Sequence, residues 1–126
     1  MNVVPYLMMF LLFFQGPPTV TSPRIQFGVL GDTVKVECSA SAVPKPDHVA
    51  WTHEGHEITS DVEYTVLEDT RPGGVVSTLV IREAENRHFG GYNCTVVNAY
   101  GAAVADIELK PQSKYLPIDP FIYVSQ

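Results

Sequence analysis

Polar and hydrophobic residues alternate with a period of two along most of the chain. After the turn signal Gly31-Asp32, the residues Val34, Val36 and Cys38 are separated by charged side chains, which is typical of a strand with one buried and one solvated face. Further short runs of this kind read VAWT, EYTVLE, VVSTLVI, YNCTVV and AVADIELK. Seven or more short strands separated by turns predict an all-β fold, a two-sheet antiparallel β-sandwich.

Prolines and one helical segment mark the connections between these strands. The run VPKPD, residues 43–47, contains two prolines and is predicted to be a loop. Pro23 interrupts the first strand, which restricts that strand to a sheet edge. The segment REAENRHF before the run GGYNC predicts one or two helical turns.

Both ends of the chain differ from the middle. Residues 1–15 include an uncharged apolar run from Val3 to Phe14, which is shorter than the ~20 residues of a membrane span and fits a secretory signal peptide. No Lys or Arg precedes the run and no clear small-x-small cleavage motif follows it, so a mis-joined N-terminal segment is the alternative. We expect one domain over residues 16–110 and an irregular tail over residues 111–126.

Composition narrows the classes of function. The chain has 126 residues, with eight basic and fourteen acidic side chains and a net charge of −6. This charge argues against nucleic-acid and anionic-membrane partners, because both are held largely by Lys and Arg. Two cysteines are too few for a cysteine-rich zinc module but sufficient for one disulfide. A signal peptide and a disulfide together indicate an oxidising, extracellular compartment.

Four residues have a spacing with a physical meaning. Trp51 follows Cys38 by thirteen residues and precedes Cys94 by forty-three, and Tyr92 lies two residues before Cys94. On inward strand positions the cysteines can join the two sheets, the indole can pack on the bridge, and the tyrosine hydroxyl can bond upstream backbone. Such a disulfide contributes about 4 kcal/mol by chain-entropy arithmetic; two unpaired core cysteines are the alternative. The predicted core residues are Cys38, Trp51, Leu79, Ile81, Tyr92 and Cys94.

This arrangement resembles an immunoglobulin domain of the intermediate set (I-set, C2-like) over residues 16–110. Within it, the segments GDTVKVECSASAVPKPDHVAW, STLVI and YNCTVVNAYGAAVADIEL resemble the membrane-proximal immunoglobulin domain of the Neph / kin-of-irre / roughest family of cell-adhesion receptors. The resemblance implies an extracellular module in a row of such domains, followed by a transmembrane helix. It further implies partners that are other cell-surface immunoglobulin proteins, either the same protein or nephrin-like ones, with no cofactor and no enzymatic activity.

The chain departs from the family pattern at three points. One domain is present, and no apolar span follows the run PQSKYLPIDPFIYVSQ. His88 stands six residues before Cys94, where many intermediate-set domains have an Asp that pairs with a basic residue, so the acidic member of the usual corner salt bridge is missing. A fragment, a truncated gene model and a secreted isoform are all compatible with these departures.

The run THEGHEI places two histidines and two glutamates within five residues. A zinc peptidase needs histidines four apart on one helical face, but position 57 is Glu57, and His53 and His56 are three apart with a glycine between them. Glycine favours a turn, so we predict a solvated turn, with a weak metal site and a catalytic zinc as alternatives. His48 and His88 are predicted to be solvated loop residues.

One surface motif carries chemistry. Asn93-Cys94-Thr95 is an N-glycosylation sequon, and strand alternation turns Asn93 and Thr95 outward when Cys94 points inward. The sequon then lies in the middle of a sheet face that immunoglobulin domains often use to bind one another, where a glycan blocks flat contact. We therefore expect a spacer, with recognition assigned to the membrane-distal domain. The outward positions of this face are Thr52, Asn93, Thr95, Val97, Val104 and Asp106.

Three functions follow from these observations. The first is an extracellular adhesion-receptor module, a spacer and interaction domain in cell–cell adhesion. The second is a secreted single-domain immunoglobulin binder, either a decoy or an isoform. The third is a metal-dependent enzyme that uses His53 and His56, and nothing beyond that pair supports it. The residues contain no arrangement typical of hydrolytic catalysis, and Cys94 is not a candidate nucleophile when it is bridged.

Overall fold

The computed structural model describes residues 15–114, which form two packed β-sheets. The strands are β1 (Gly16–Val20), β2 (Ile25–Val29), β3 (Val34–Val43), β4 (His48–His53), β5 (His56–Ile58), β6 (Tyr64–Arg71), β7 (Gly74–Ile81), β8 (Gly90–Asn98) and β9 (Gly101–Gln112). One turn of 3-10 helix, Asn86–His88, connects β7 to β8. The predicted helical segment of one or two turns is therefore present as a single turn. The predicted all-β sandwich is confirmed. The predicted signal segment and most of the predicted tail lie outside the described residues.

The first strand is divided between the two sheets. One sheet has the order β1-β3-β7-β6 and the other the order β2-β9-β8-β4-β5, so β1 and β2 are both edge strands, as the position of Pro23 predicts. All strand pairs are antiparallel except β2 with β9, which run parallel from Ile25–Glu108 to Val29–Gln112. Strand β9 therefore continues two residues past Lys110, where we expected the tail to begin.

The core lies between the sheets and follows the alternation of the strands. In β3 the residues at even positions from 34 to 42 are buried, and in β7 those at odd positions from 75 to 81 are buried. Leu79 and Ile81 have no exposed surface. Full burial of an aliphatic side chain of this size stabilises a fold by roughly 1.5–3 kcal/mol, so each of these two residues contributes on that order.

A side chain fills the gap between the edges of the two sheets. Strand β1 pairs only with the second half of β3, from Ala40 to Val43, which leaves the backbone of Glu37 without a neighbouring strand on that side. The amide of Gln26 in β2 takes the place of that strand. Its oxygen accepts from the Glu37 N–H at 2.9 Å, and its nitrogen donates to the Glu37 carbonyl at 2.7 Å. The edge of β3 is thus closed without a further strand.

Candidate functional site

A disulfide and an indole form the centre of the core. Cys38 and Cys94 are bonded across the two sheets, with their Cα atoms 6.5 Å apart, and both are fully buried. Trp51 lies opposite Cys94 on the neighbouring strand and is 1% exposed. Its indole N–H donates to the hydroxyl of Ser77 at 2.9 Å, and that hydroxyl donates to the carbonyl of Leu67 at 3.2 Å. The core therefore contains a satisfied polar pair as well as the bridge.

Tyr92 anchors the turn that leads into β8. Its hydroxyl donates to the backbone carbonyl of His88 at 2.6 Å, and the ring has no exposed surface. Burial raises the pKa of Tyr92 far above its ordinary value, and the hydroxyl of Tyr64 and the charge of Glu63 add to the shift. The phenol therefore stays protonated and remains a hydrogen-bond donor to this corner.

The THEGHEI segment forms a hairpin between β4 and β5. Glu54 and Gly55 are its two turn residues, with φ values of 51° and 79°. Two successive positive φ angles are the signature of a type I′ turn, which favours glycine at the second position. Across this turn His53 pairs with His56. The predicted turn is confirmed.

The ring of His53 is held by backbone carbonyls. Its Nδ1 lies 2.8 Å from the carbonyl oxygen of Gly91, and its Nε2 lies 2.9 Å from that of Arg87. The ring also stacks on Tyr92, with centroids 4.2 Å apart and planes 11° apart. Since both ring nitrogens face oxygen atoms, neither presents a lone pair toward His56. The geometry gives no support to a metal site made of the two histidines.

The prediction that His88 is solvated is wrong. The residue is 1% exposed, because the 3-10 turn folds it under the corner before β8. Its Nδ1 accepts from the backbone N–H of Glu85 at 2.8 Å. The ring proton is therefore on Nε2, which donates to the Glu63 carboxylate oxygen at 2.7 Å. His48 is exposed as predicted, but it is the first residue of β4 rather than part of a loop.

An ion-pair network surrounds this buried imidazole. The guanidinium of Arg87 pairs with the carboxylate of Glu63 and, at 2.8 Å, with that of Glu85. Desolvation raises the pKa of Glu63, but hydrogen bonds from His88 and Arg87 outweigh it and hold that pKa below its usual range. A corner salt bridge is therefore present with the acid and the base exchanged: the acid is Glu63, just before β6, and the base is Arg87 of the helical turn.

Within residues 15–114, the same cluster is the one group of three or more His, Cys, Asp or Glu residues whose ligand atoms lie close enough together for a metal ion. Oxygen or nitrogen atoms of Glu63, Glu85 and His88 come within 4.8 Å of one another. Both nitrogens of His88 are already hydrogen-bonded, however, and the guanidinium of Arg87 pairs with both carboxylates and offsets one of their two negative charges. Metal ligands need free lone pairs, and this imidazole has none to offer, so the network is a structural corner.

The outer face of β4, β8 and β9 carries the glycosylation sequon. Register places its positions in three rows, which are His48–Val97–Ala102, Ala50–Thr95–Val104 and Thr52–Asn93–Asp106. The first two rows are mainly apolar, and Val104 is 58% exposed. The third row is polar. The face is thus divided into an apolar half near the loop after β3 and a polar half near the helical turn.

Asn93 lies at the centre of the polar row and is exposed. We assign its amide with the nitrogen toward Asp106, where it donates to Oδ1 at 2.6 Å and to the Tyr92 carbonyl at 3.3 Å. Thr95, the third sequon residue, is half-buried on the same face. Both functional groups of the sequon therefore point away from the disulfide that Cys94 makes on the other side of the strand.

Comparison with known proteins agrees with this geometry. The immunoglobulin domain family model matches residues 17–98, a range that includes the disulfide, the indole and the anchoring tyrosine. The chain belongs to the immunoglobulin family. No helix in the described range 15–114 is long and apolar enough to cross a membrane.

Several relatives of this immunoglobulin domain are named roughest or Kin of IRRE-like proteins. The chain is 50% identical over 101 residues to the Irregular chiasm C-roughest protein of Drosophila melanogaster, which is 79% of this chain and 13% of the relative. It is 36% identical over 110 residues to Kin of IRRE-like protein 1 of Homo sapiens, which is 85% of this chain and 14% of the relative. The resemblance to the kin-of-irre / roughest family is confirmed, and the chain spans about one seventh of these relatives.

Solved immunoglobulin domains share its fold. Titin domain M7 aligns with a TM-score of 0.66 and 26% identity, over 79% of this chain and 98% of that one. A crystal structure of Dpr2 Ig1-Ig2 in complex with DIP-Theta Ig1-Ig3 aligns with a TM-score of 0.71 and 21% identity, over 78% of this chain and 33% of that one. The similarity to the latter concerns the fold alone.

Two features of this immunoglobulin domain were not predicted from the sequence, namely the buried hydroxyl of Ser77 and the pairing of Glu63 with His88. Ser77 occupies a position in VVSTLVI that reads as apolar, and only its inward register, shared with Leu79 and Ile81, marks it as a buried polar residue in need of a partner. Glu63 precedes β6 in a segment without periodicity. Its pairing with His88, 25 positions away, depends on the tertiary packing of two connections, for which the sequence contains no local signal.

Proposed function

We propose that the chain is an extracellular immunoglobulin module of a cell-surface adhesion or recognition receptor of the roughest and Kin of IRRE group. The observation that carries the proposal is the 50% identity to the roughest protein over 101 residues. Another relative, 34% identical over 91 residues, is the Synaptogenesis protein syg-1 of Caenorhabditis elegans. The partners are then other immunoglobulin-superfamily proteins at the cell surface.

Within such a receptor, the domain acts as a spacer rather than as the adhesive tip. Asn93 is exposed at the centre of the outer face of β4, β8 and β9, and with Thr95 it forms a glycosylation sequon. A glycan at this position covers the polar row and prevents a second sheet from lying flat on the apolar one. Recognition is then assigned to a more distal domain of the array.

The acceptor lies in an internal strand, which constrains when the sugar is attached. Asn93 is paired on one side with Thr52 and on the other with Asp106, so its backbone is fixed in an extended conformation once β8 has joined the sheet, and we expect the transferase to act before that step. Closure of the Cys38–Cys94 disulfide competes with that step. We expect occupancy to rise when cells that secrete the chain are treated briefly with a membrane-permeant reductant, as measured by intact mass.

A chimaeric receptor tests the module and the spacer role separately. The segment of Drosophila roughest that aligns with this chain is replaced by residues 16–112, and aggregation of cells that express the chimaera is compared with that of cells expressing the parent. We expect equal aggregation at equal surface level. A second chimaera carries Val104→Arg on the outer face, and a matched control carries Lys35→Glu on the opposite sheet.

The two variants distinguish a spacer from an adhesive face. If the domain is a spacer, Val104→Arg and Lys35→Glu both aggregate like the unmodified chimaera. Loss of aggregation with Val104→Arg alone, at unchanged surface level, would show that this face is adhesive and would refute the spacer role. Failure of the unmodified chimaera to aggregate while reaching the surface normally would contradict the assignment to this receptor group.

A further inference from the structure

A shallow groove begins beside the glycan acceptor on the outer face of the sheet. Its volume is about 340 Å³, which falls within the range of about 300–1,000 Å³ for small-molecule sites. It crosses three strands, since Gly91 of β8 pairs with Glu108 of β9, which in turn pairs with Ile25 of β2. Six of its eight lining residues are Arg24, Ile25, Gly91, Asn93, Asp106 and Glu108.

The groove exists because one outward position has no side chain. Gly91 lies two residues before Asn93 and on the same side of β8, about 7 Å away along the strand. A methyl group built on Gly91 would meet nothing within 4 Å, and its φ lies outside the positive range. The fold therefore does not require glycine at this position, and a larger side chain could stand there without strain.

The walls of the groove are polar near the acceptor and apolar at the far end. Asp106 and Glu108 supply carboxylates that accept from hydroxyl groups, and Arg24 supplies a guanidinium that donates. Ile25 is 50% exposed and Phe27, next on the same side of β2, is 56% exposed. Hydrogen-bonding groups beside an exposed apolar surface suit a ligand that has hydroxyl groups on its edge and C–H groups on its face, which is the chemistry of a pyranose ring.

We propose that this groove holds the first sugars of a glycan attached to Asn93, so that the domain binds its own glycan. The inference rests on the proposed glycosylation of Asn93. An asparagine that carries a sugar keeps one amide N–H, and the 2.6 Å contact between the Asn93 nitrogen and Asp106 gives that N–H an acceptor which orients the sugar. The ring then passes over Gly91, with its apolar face toward Ile25.

Covalent attachment explains why such an open groove can be occupied. A tethered ligand is present at an effective concentration in the millimolar range, so contacts too weak to capture a free sugar suffice for one joined to Asn93. In the bound state the glycan covers exposed surface of Ile25 and pays no separate translational entropy on docking. Hydrophobic burial of this kind stabilises the folded state, which gives the glycan a structural role besides its steric one.

The test uses the full chain secreted from insect cells, with occupancy at Asn93 established by intact mass. Three variants are compared with the natural chain. Gly91→Leu fills the groove, Ala102→Leu adds the same side chain at an exposed position on the far end of the same face, and Thr95→Val removes the sequon with little change of shape. Thermal unfolding midpoints are measured for each, and nuclear Overhauser contacts are recorded between the N-acetyl methyl of the first sugar and the methyls of Ile25.

We expect the natural glycosylated chain to unfold about 4–8 °C above the Thr95→Val form and to show the contacts to Ile25. Gly91→Leu should lose both the contacts and most of the difference, whereas Ala102→Leu should retain both. Combining Gly91→Leu with Thr95→Val should leave the midpoint of Thr95→Val unchanged, which shows that leucine itself does no harm.

The failures can be told apart. A mass without glycan refutes the glycosylation on which the inference rests. A glycosylated chain that shows no contacts to Ile25, and whose midpoint difference survives Gly91→Leu, overturns the groove alone. Contacts from free N,N′-diacetylchitobiose to the Thr95→Val form, combined with none in the glycosylated chain, would assign the groove to a glycan from another molecule and would also overturn the proposal.

Discussion

Replacing Ser77 by alanine should destabilise the domain much more than its small change of volume suggests. The hydroxyl of Ser77 has no exposed surface; it accepts from the indole N–H of Trp51 at 2.9 Å and donates to the carbonyl of Leu67 at 3.2 Å. In Ser77→Ala the indole N–H remains buried against the disulfide without an acceptor. A buried donor left unsatisfied costs about 1–3 kcal/mol, and the carbonyl of Leu67, nearer the sheet edge, can turn to water.

We therefore expect a loss of about 2 kcal/mol, which corresponds to a lowering of the thermal midpoint by roughly 8–16 °C in a domain of this size. The assay is urea unfolding followed by tryptophan fluorescence, with circular dichroism as a second probe to check two-state behaviour. Ser41→Ala is the matched control, because Ser41 is exposed on β3. It should change the free energy of unfolding by less than about 0.5 kcal/mol.

A double-mutant cycle decides whether the indole is responsible. Trp51→Phe removes the N–H together with part of the ring, and the fluorescence probe is then replaced by circular dichroism. In the Trp51→Phe background, Ser77→Ala should cost less than half as much as it does in the natural chain. Equal costs in the two backgrounds would refute the reasoning, since the loss would then arise from the contact with Leu67 or from packing.

Three further changes address the corner, the hairpin and the sheet edge. The pKa of Glu63 is lowered in the folded state from its ordinary value of 4.5, so the stabilisation that this carboxylate provides is present above that pH and is lost as the pH falls below it. Between roughly pH 6 and pH 3, the free energy of unfolding should therefore decline less steeply in Glu63→Gln than in the natural chain. An unchanged decline would exclude this carboxylate as its source. Gly55→Ala places a side chain at a φ of 79° and should cost about 1 kcal/mol in urea unfolding, whereas a neutral result would mean that the turn changes type. Gln26→Ala removes the two bonds to the backbone of Glu37 and should speed hydrogen exchange of the Glu37 amide several-fold, with exchange in the centre of β8 as the internal reference; equal rates would show that the edge is protected in another way.

The sequence predicts the sandwich well because each piece of evidence is local. Strand alternation needs only neighbouring positions, and the positions of Cys38, Trp51 and Cys94 constrain the register of three strands at once. Pro23 marks the first strand as an edge strand, since a residue without an N–H interrupts the ladder there.

Contacts between distant connections are the part that the sequence does not predict. A histidine in a loop is most often solvated, and nothing near His88 indicates the carboxylate of Glu63 that makes its burial possible. His53 likewise reads as one of a histidine pair, although the ring is held by carbonyls of the corner before β8. In both places a side chain from one connection completes the hydrogen bonding of another, and such pairings are decided by tertiary packing.

The parallel pairing of β2 with β9 has a mechanical consequence. When the two ends of the module are pulled apart, the load reaches the start of β2 once β1 has separated from β3, and it leaves at the end of β9, along the direction of both strands. Their hydrogen bonds, which extend from Ile25 to Val29, are then sheared together rather than opened one at a time. Even if they fail, the Cys38–Cys94 bridge keeps the 56-residue interval between the cysteines from extending. In the adhesion receptor that we propose, such a module would resist tension as a short, stiff link.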